Sequence, residues 1–340
     1  MNKVIVTGGV GFIGSHTVVE LINSGYTPII VDDLSNSNLE VLDRIESITG
    51  TSPEIIVADV SDSEAMDDVF ETHKDAVGII HFAAKKAVGE SVAKPLMYYR
   101  VNMMGLVNIL EQMEKHSIAN FIFSSSATVY GQPEKLPAVE GTAILPAESP
   151  YGNTKQIGEE IIRDQVSAQT GKLKAIALRY FNPIGAHPSG KIGELPLGVP
   201  NNLMPFITQT GIGLREELKV FGSDYNTVDG TAVRDYIHVV DIAKAHVIAM
   251  KRLVANAQEK NMEYFNLGTG RGSSVLEVIK SFEKTSGQKL NYSLVDRRVG
   301  DVESVYASTQ KANEVLGWKA EYDLDEMTRT AWEWEKKIRG

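Results

Sequence analysis

The 340-residue sequence contains no cysteine. That rules out a disulfide framework, thiol nucleophiles and cysteine-ligated zinc. Positive charge is in short supply: 34 Lys and Arg stand against 44 Asp and Glu, a net charge of 34 − 44 = −10. Such a chain has little non-specific hold on nucleic acid or an anionic membrane, so an anionic ligand has to be gripped by locally placed donors. No apolar run approaches the roughly 18 residues of a membrane span. The N-terminus also lacks the basic, apolar, small-residue order of a secretory signal. A cytoplasmic location is expected. None of the seven histidines stands in an HExxH pattern, and no metal site is expected. Internal repeats, low-complexity tracts and long charge runs are missing too. What remains is an ordinary globular composition, 43% hydrophobic and 23% charged, long enough for one large or two moderate domains.

The first half alternates strand and helix signals. KVIVTG (3–8), TPIIVDD (27–33), EIIVAD (54–59), VGIIHFA (77–83), NFIFSSS (120–126) and KAIALRY (174–180) read as strands. Helical patterns lie near 12–25, 38–48, 63–73, 95–116 and 151–169. The strand runs are continuously apolar rather than alternating, as in strands covered on both faces. The expected fold is α/β: a Rossmann-type, doubly wound parallel sheet over residues 1–180, with a smaller C-terminal α/β unit over 181–340 from which some segments return to the first. The stretch FNPIGAHPSGKIGELPLGVPNN is too long for a plain connection, which makes it a functional loop or a disordered one. Helices near 202–210, 239–254, 274–285 and 324–337 and strands near 218–221 and 263–268 follow.

Gly8, Gly11 and Gly14 follow the first strand and open the first helix. In that context they match a dinucleotide fingerprint: a tight turn, a bare backbone that can approach a pyrophosphate, and close helix packing. The helix N-terminus then faces the phosphates. Asp32 ends the next strand, 24 residues after Gly8, where a carboxylate takes ribose hydroxyls and disfavours a 2′-phosphate. The cofactor is therefore read as NAD. Asp59, at the end of the third strand, is either an adenine contact or a strand-end turn residue.

Tyr151 and Lys155 lie four apart at the start of a helix and share a face. They follow a strand ending in Ser124, Ser125 and Ser126, at the carboxyl edge where open α/β sheets hold ligands. A tyrosine becomes a general base when its pKa falls from about 10 toward neutrality. A positive charge about 4 Å away at an effective dielectric near 20 supplies about 4 kcal/mol, or about three pKa units. Lys155 is such a charge and an oxidised nicotinamide is another. Ser126 is the serine placed to bridge substrate and tyrosine.

TGGVGFIG, the Tyr151/Lys155 pair and the serine strand resemble the extended short-chain dehydrogenase/reductase family. KAVGES (86–91), RYFNPIGAHPSG (179–190), PNNLMP (200–205), VRDYIH (233–238) and RRVGD (297–301) narrow the likeness to its nucleotide-sugar epimerases, over essentially the whole chain. The resemblance implies NAD-dependent inversion of C4 in UDP-hexoses through a transient 4-keto sugar. It implies tightly held NAD, a UDP-sugar substrate and a homodimer built on the helices near 95–116 and 151–169. It assigns Tyr151, Lys155 and Ser126 to catalysis. It assigns Gly8, Gly11, Phe12, Ile13, Gly14, Asp32, Asn36, Ser37, Asp59, Val60, Phe82, Lys86, Tyr151, Lys155 and Phe181 to the cofactor. Ser126, Tyr151, Asn182, Asn202, Leu203, Phe221, Arg234, Tyr236, Arg298, Asp301 and Val305 go to the substrate. At FAAKKAVG the chain departs from the family pattern, and Lys86 rather than Lys85 takes the cofactor position.

Several of these residues also have plain structural readings. Phe221 by itself reads as core, Arg234 and Arg298 as ion-pairing residues, and Asn201 or Asn202 as a helix cap. His238 and His187 read as structural, and Trp318, Trp332 and Trp334 as packing. In the family, a bulky tyrosine at position 305 goes with restriction to glucose and galactose. Val305 therefore implies room for an N-acetyl group. Two other functions compete. A 4,6-dehydratase, or a uronate epimerase or decarboxylase, is the near one. Ser126 is followed by Ala127 and Thr128, which cannot supply a dehydratase's acid–base pair. A non-catalytic NAD sensor is the distant one, and it would have no need of Tyr151 and Lys155.

Overall fold

The computed structural model describes residues 2–169, 171–298 and 302–339. Its first unit is built from β1 (Asn2–Thr7), α1 (Phe12–Asn23), β2 (Tyr26–Asp32), α2 (Glu40–Thr49), β3 (Glu54–Val57), α3 (Ser63–Thr72), β4 (Gly78–His81), α4 (Val88–Ala93), α5 (Pro95–Lys115), β5 (Asn120–Ser126), α6 (Pro150–Ala168) and β6 (Lys174–Tyr180). There follow β7 (Asn182–Ile184), α7 (Leu203–Gly211), β8 (Leu218–Phe221), β9 (Val233–Arg234), β10 (Tyr236–His238), α8 (Val239–Val254), β11 (Met262–Leu267) and β12 (Ser273–Ser274). The last elements are α9 (Val275–Ser286), β13 (Tyr292–Val295), β14 (Ser304–Val305) and α10 (Leu324–Arg339).

Seven strands form one sheet in the order β11-β6-β5-β4-β1-β2-β3, every pair parallel. Successive residues feed opposite layers. Val4 and Val6 point into the core beneath α1 and α8, while Ile5 points into the core beneath α3, α5 and α6. Ile122 lies on the first side, and Phe121 and Phe123 on the second. Burial on both faces explains the unbroken apolar runs.

The helices begin where their caps dictate. Asp62 accepts from the N–H groups of Glu64 and Ala65 at the head of α3. Ser149 caps α6, with Pro150 at its first position. Ser274 and Glu277 form a capping box on α9.

The smaller unit packs α7, α9 and α10 around Ile207, Phe282, Met327 and Trp332, with β8 and β13 paired beside them. Two features go beyond a simple division at residue 180. The strand read at 263–268 is β11, which pairs with β6 as the seventh strand of the first sheet, and α8 packs on α1. The Gly/Pro-rich stretch after residue 181 is ordered. Ala186 bridges Gly193, the Trp334 Nε1–H donates to the Glu194 carbonyl at 2.8 Å, and Lys337 Nζ donates to the Ser189 carbonyl at 2.6 Å. Trp318, Trp332 and Trp334 are buried, as packing residues should be. His238 caps α8 through Nδ1 and stacks on Tyr322 at 4.1 Å. Among the described residues no helix is long and apolar enough to cross a membrane, and no group of three or more His, Asp or Glu is set to hold a metal.

Candidate active site

The glycine turn sits at the carboxyl end of β1, which lies between β4 and β2 inside the sheet. Gly8 has φ +72°, in the left-handed region. A Cβ at Gly14 would lie 2.1 Å from the Gly8 carbonyl oxygen, so only glycine allows α1 to approach the turn this closely. A Cβ at Gly11 would meet only that same oxygen, at 3.2 Å, and no side chain. The space over the turn is thus bare, and the first-turn N–H groups of Phe12 and Ile13 have no intrahelical acceptor. This is a cradle that fits a pyrophosphate.

Asp32 is buried at the end of β2. Its carboxylate accepts from the Val10 N–H (3.2 Å), the Leu34 N–H (3.0 Å) and the Ser37 hydroxyl (2.8 Å). A carboxylate has about four acceptor sites, so one is left for a ribose hydroxyl. Burial pushes its pKa up against the pull of these donors. Asn36 is exposed beside Ser37. Asp59 lies two residues beyond the end of β3 and accepts from the N–H and hydroxyl of Ser61, both at 2.8 Å, so here it does the work of a turn residue. The Val60 side chain is core.

Phe82 lies against His246 at 4.6 Å. Lys86 is exposed and reaches Glu194 at 3.5 Å, whereas Lys85 is tied by its backbone to Asn102. Phe181 is buried with Val129, Tyr130, Ala138 and Ala307, and Val305 packs against that cluster.

At the end of β5 the three serines divide their partners. The Ser124 carbonyl accepts from Lys155 Nζ at 2.6 Å, and its hydroxyl meets the Tyr180 phenol. The Ser125 hydroxyl donates to Glu159 Oε1 at 2.5 Å. The Ser126 hydroxyl accepts from the Thr128 N–H at 3.2 Å and lies near enough to Tyr151 to favour its phenolate. Lys155 Nζ stands 4.9 Å from the Phe123 ring and 6.0 Å from the Tyr151 ring.

Protonation differs from the simple expectation for Tyr151. Without a cofactor, burial pushes the Tyr151 phenol up, and the Ser126 hydroxyl pulls it back. Burial also lowers Lys155 to about 8, so its ammonium persists at neutral pH with little to spare. In this arrangement Lys155 does not bring the phenol below its ordinary value.

The remaining sequence-derived positions lie in the second half of the chain, where short strand pairs bring some of them together. β7 pairs with β10, which sets Asn182 beside Tyr236. β14 pairs with β9, which sets Val305 beside Arg234. Asn202 occupies the cap position of α7 but makes no side-chain cap bond; its amide donates to Glu194 Oε1 at 2.6 Å instead. Leu203 opens α7 and packs on the smaller core. Phe221 is 41% exposed, so it is not a core residue, and the Arg298 guanidinium lies 5.6 Å from its ring. Asp301 lies outside the described residues.

Sequence reasoning missed three residues that the fold brings in. Tyr180 ends β6 beside Ser124 and is pushed up by burial and by Tyr151. Its position at a strand terminus was the available signal. Glu194 meets both Lys86 and Asn202, and no local pattern marks it. Glu159, four residues after Lys155, was legible by spacing alone.

Residues 5–331 match the family model described as GDP-mannose 4,6 dehydratase. A UDP-glucose 4-epimerase of Dictyostelium discoideum is 51% identical over 334 residues, covering 98% of this chain and 96% of the relative. The solved UDP-glucose-4-epimerase from Stenotrophomonas maltophila, with bound NAD and formylated UDP-arabinopyranose, superposes with TM-score 0.95 at 44% identity, covering 99% of both chains. The one from Bifidobacterium longum, in complex with NAD+ and UDP, gives TM-score 0.94 at 46% identity, covering 99% of this chain and 98% of that one. With about half of its residues shared from end to end, and the glycine cradle and serine–tyrosine–lysine group at one sheet edge, the chain belongs to the UDP-glucose 4-epimerase family.

Proposed function

We propose that this protein interconverts UDP-galactose and UDP-glucose by inverting C4 with bound NAD. The full-length match to UDP-glucose 4-epimerases at about half identity carries this reading. The glycine turn, Asp32, Phe82 and Lys86 would hold NAD. When bound, the cofactor supplies a hydride acceptor and then donor for C4, and a positive ring beside the phenol. Tyr151 takes the proton from the sugar 4-hydroxyl as C4 becomes a ketone, and returns it after the sugar has turned its other face. Ser126 bonds the same oxygen and Tyr151. Lys155 supplies charge from below. Arg234 and Arg298 suit a diphosphate through bidentate contacts. Asn182, Asn202, Leu203, Phe221, Tyr236 and Asp301 complete the nucleotide-sugar site. Residues 1–180, with α8 and β11 returning, would form the NAD unit and the rest the sugar-nucleotide unit. A cytoplasmic location belongs to the same reading, supported by the cysteine-free composition. A dehydratase is disfavoured despite the name of the family model, because no acid follows Ser126.

Proton NMR of the purified protein with UDP-galactose and no added cofactor tests the reading. UDP-glucose should appear. No conversion, even with added NAD+, would remove it.

Val305 should leave space for a 2-N-acetyl group, so UDP-N-acetylgalactosamine should also turn over. Val305→Tyr should lower that activity by about 10–100-fold while sparing UDP-galactose. A wild-type protein that converts UDP-galactose but not UDP-N-acetylgalactosamine would end the idea.

A homodimer is the proposed assembly. Leu96 and Met104 on α5 are 79% and 54% exposed, which suits a helix face awaiting a partner. Sedimentation should give twice the chain mass, and Leu96→Glu with Met104→Glu should halve it.

A further inference from the structure

Below the Tyr151/Lys155 pair lies a buried network that the reaction as described leaves unused. Glu159 stands one turn after Lys155 on the same face of α6. The helix comes close to β5 there, since a Cβ at Gly158 would lie 2.8 Å from the Phe123 ring. Glu159 is 3% exposed. It accepts from Ser125 Oγ (2.5 Å), Arg179 Nε (2.9 Å) and Arg179 Nη2 (2.6 Å). Arg179 also donates to the Tyr130 phenol at 3.0 Å, and Tyr130 donates to Asn266 Oδ1 at 2.6 Å. The Arg179 guanidinium lies 5.0 Å from the Tyr130 ring and 4.6 Å from the Tyr264 ring.

A buried ion pair is weak evidence for stability, because apolar residues of similar volume serve as well. Its presence here points to another use. We propose that Glu159 is a positioning residue: pinned by Arg179 and Ser125 one turn along α6, its carboxylate holds the charge of Lys155 in place beneath Tyr151. This rests on reading Tyr151 and Lys155 as the acid–base pair.

The surroundings support it. Burial draws Lys155 down to about 8, and Glu159 is the group that opposes this. The other groups facing Lys155 are His81 on β4, kept neutral by burial at about 3, Tyr151 on its own helix, and the Phe123 ring on β5. Glu159 faces Arg179 on β6, Ser125 on β5, and Tyr264 on β11. The two-pronged grip of Arg179 fixes the carboxylate in place.

The test is the pH profile of kcat for the NAD-loaded protein, read with a titration of Lys155 by NMR of ¹³Cε-labelled lysine. Glu159→Gln should move the alkaline limb and the Lys155 midpoint down by about one unit, about tenfold in the protonation equilibrium. Turnover should fall mainly above about pH 7. The double variant Glu159→Leu/Arg179→Met removes both charges and so avoids a lone buried arginine. It should shift the limb the same way by less, and it decides the matter if the single variant does not fold. An unshifted Lys155 midpoint in the folded variants, or a fall in kcat uniform with pH, would overturn the proposal. Tyr151→Phe run alongside separates the two ideas. If it retains turnover, the acid–base reading itself fails. If it is inactive while the Glu159 variants keep the wild-type limb, only the positioning role fails.

Discussion

Replacing Tyr151 with phenylalanine is expected to lower kcat with UDP-galactose by about 10²–10⁴-fold, the usual worth of a placed proton-transfer group. The substitution deletes one hydroxyl and keeps the ring that Lys155 faces at 6.0 Å. Neither the glycine cradle nor Asp32 depends on that hydroxyl, so the NAD content of the purified variant, measured after acid release, should match the wild type. The pairing of lost turnover with retained cofactor is what distinguishes an enzyme from an NAD sensor, which would tolerate the change. Turnover within about tenfold of the wild type would assign the proton to another group. Tyr180, whose phenol meets Ser124, would be the first to examine.

Gly14→Ala should have the opposite signature. The added Cβ would lie 2.1 Å from the Gly8 carbonyl oxygen and 2.9 Å from the Gly9 Cα. Both are backbone atoms, so no rotamer change relieves the clash, and α1 has to move off the turn. Overpacking of this kind typically costs about 1–3 kcal/mol, and backbone against backbone belongs at the upper end. The same movement spoils the cradle. The variant should therefore leave purification depleted of NAD, with a lowered melting temperature and activity partly restored by excess NAD+. Full NAD occupancy with an unchanged melting temperature would show that the turn does not need its glycine there.

The inner strands of the main sheet were legible because apolar residues feed both of its faces. Val4, Ile5 and Val6 feed two different cores from three adjacent positions. Strands of two or three residues, such as β9, β12 and β14, carry no such signal. They exist because distant segments meet, as Val305 meets Arg234 across 71 residues of chain, 305 − 234. The long Gly/Pro-rich stretch looked open to disorder for the same reason. What holds it are Trp334 and Lys337, near the far end of the chain. Spacing put Tyr151 and Lys155 on one face of α6, but it said nothing of the balance of burial against charge at Tyr151. That balance depends on neighbours from β5, which no local pattern reports.

The return of β11 to the edge of the first sheet has a consequence for biosynthesis. Until residue 267 of 340 has left the ribosome, β6 has an unpaired edge and the cofactor-binding layer is incomplete. A nascent chain halted at the apparent boundary near 180 is thus not a small finished protein but an adhesive one, so most of the polypeptide must be made before any of it can safely be released.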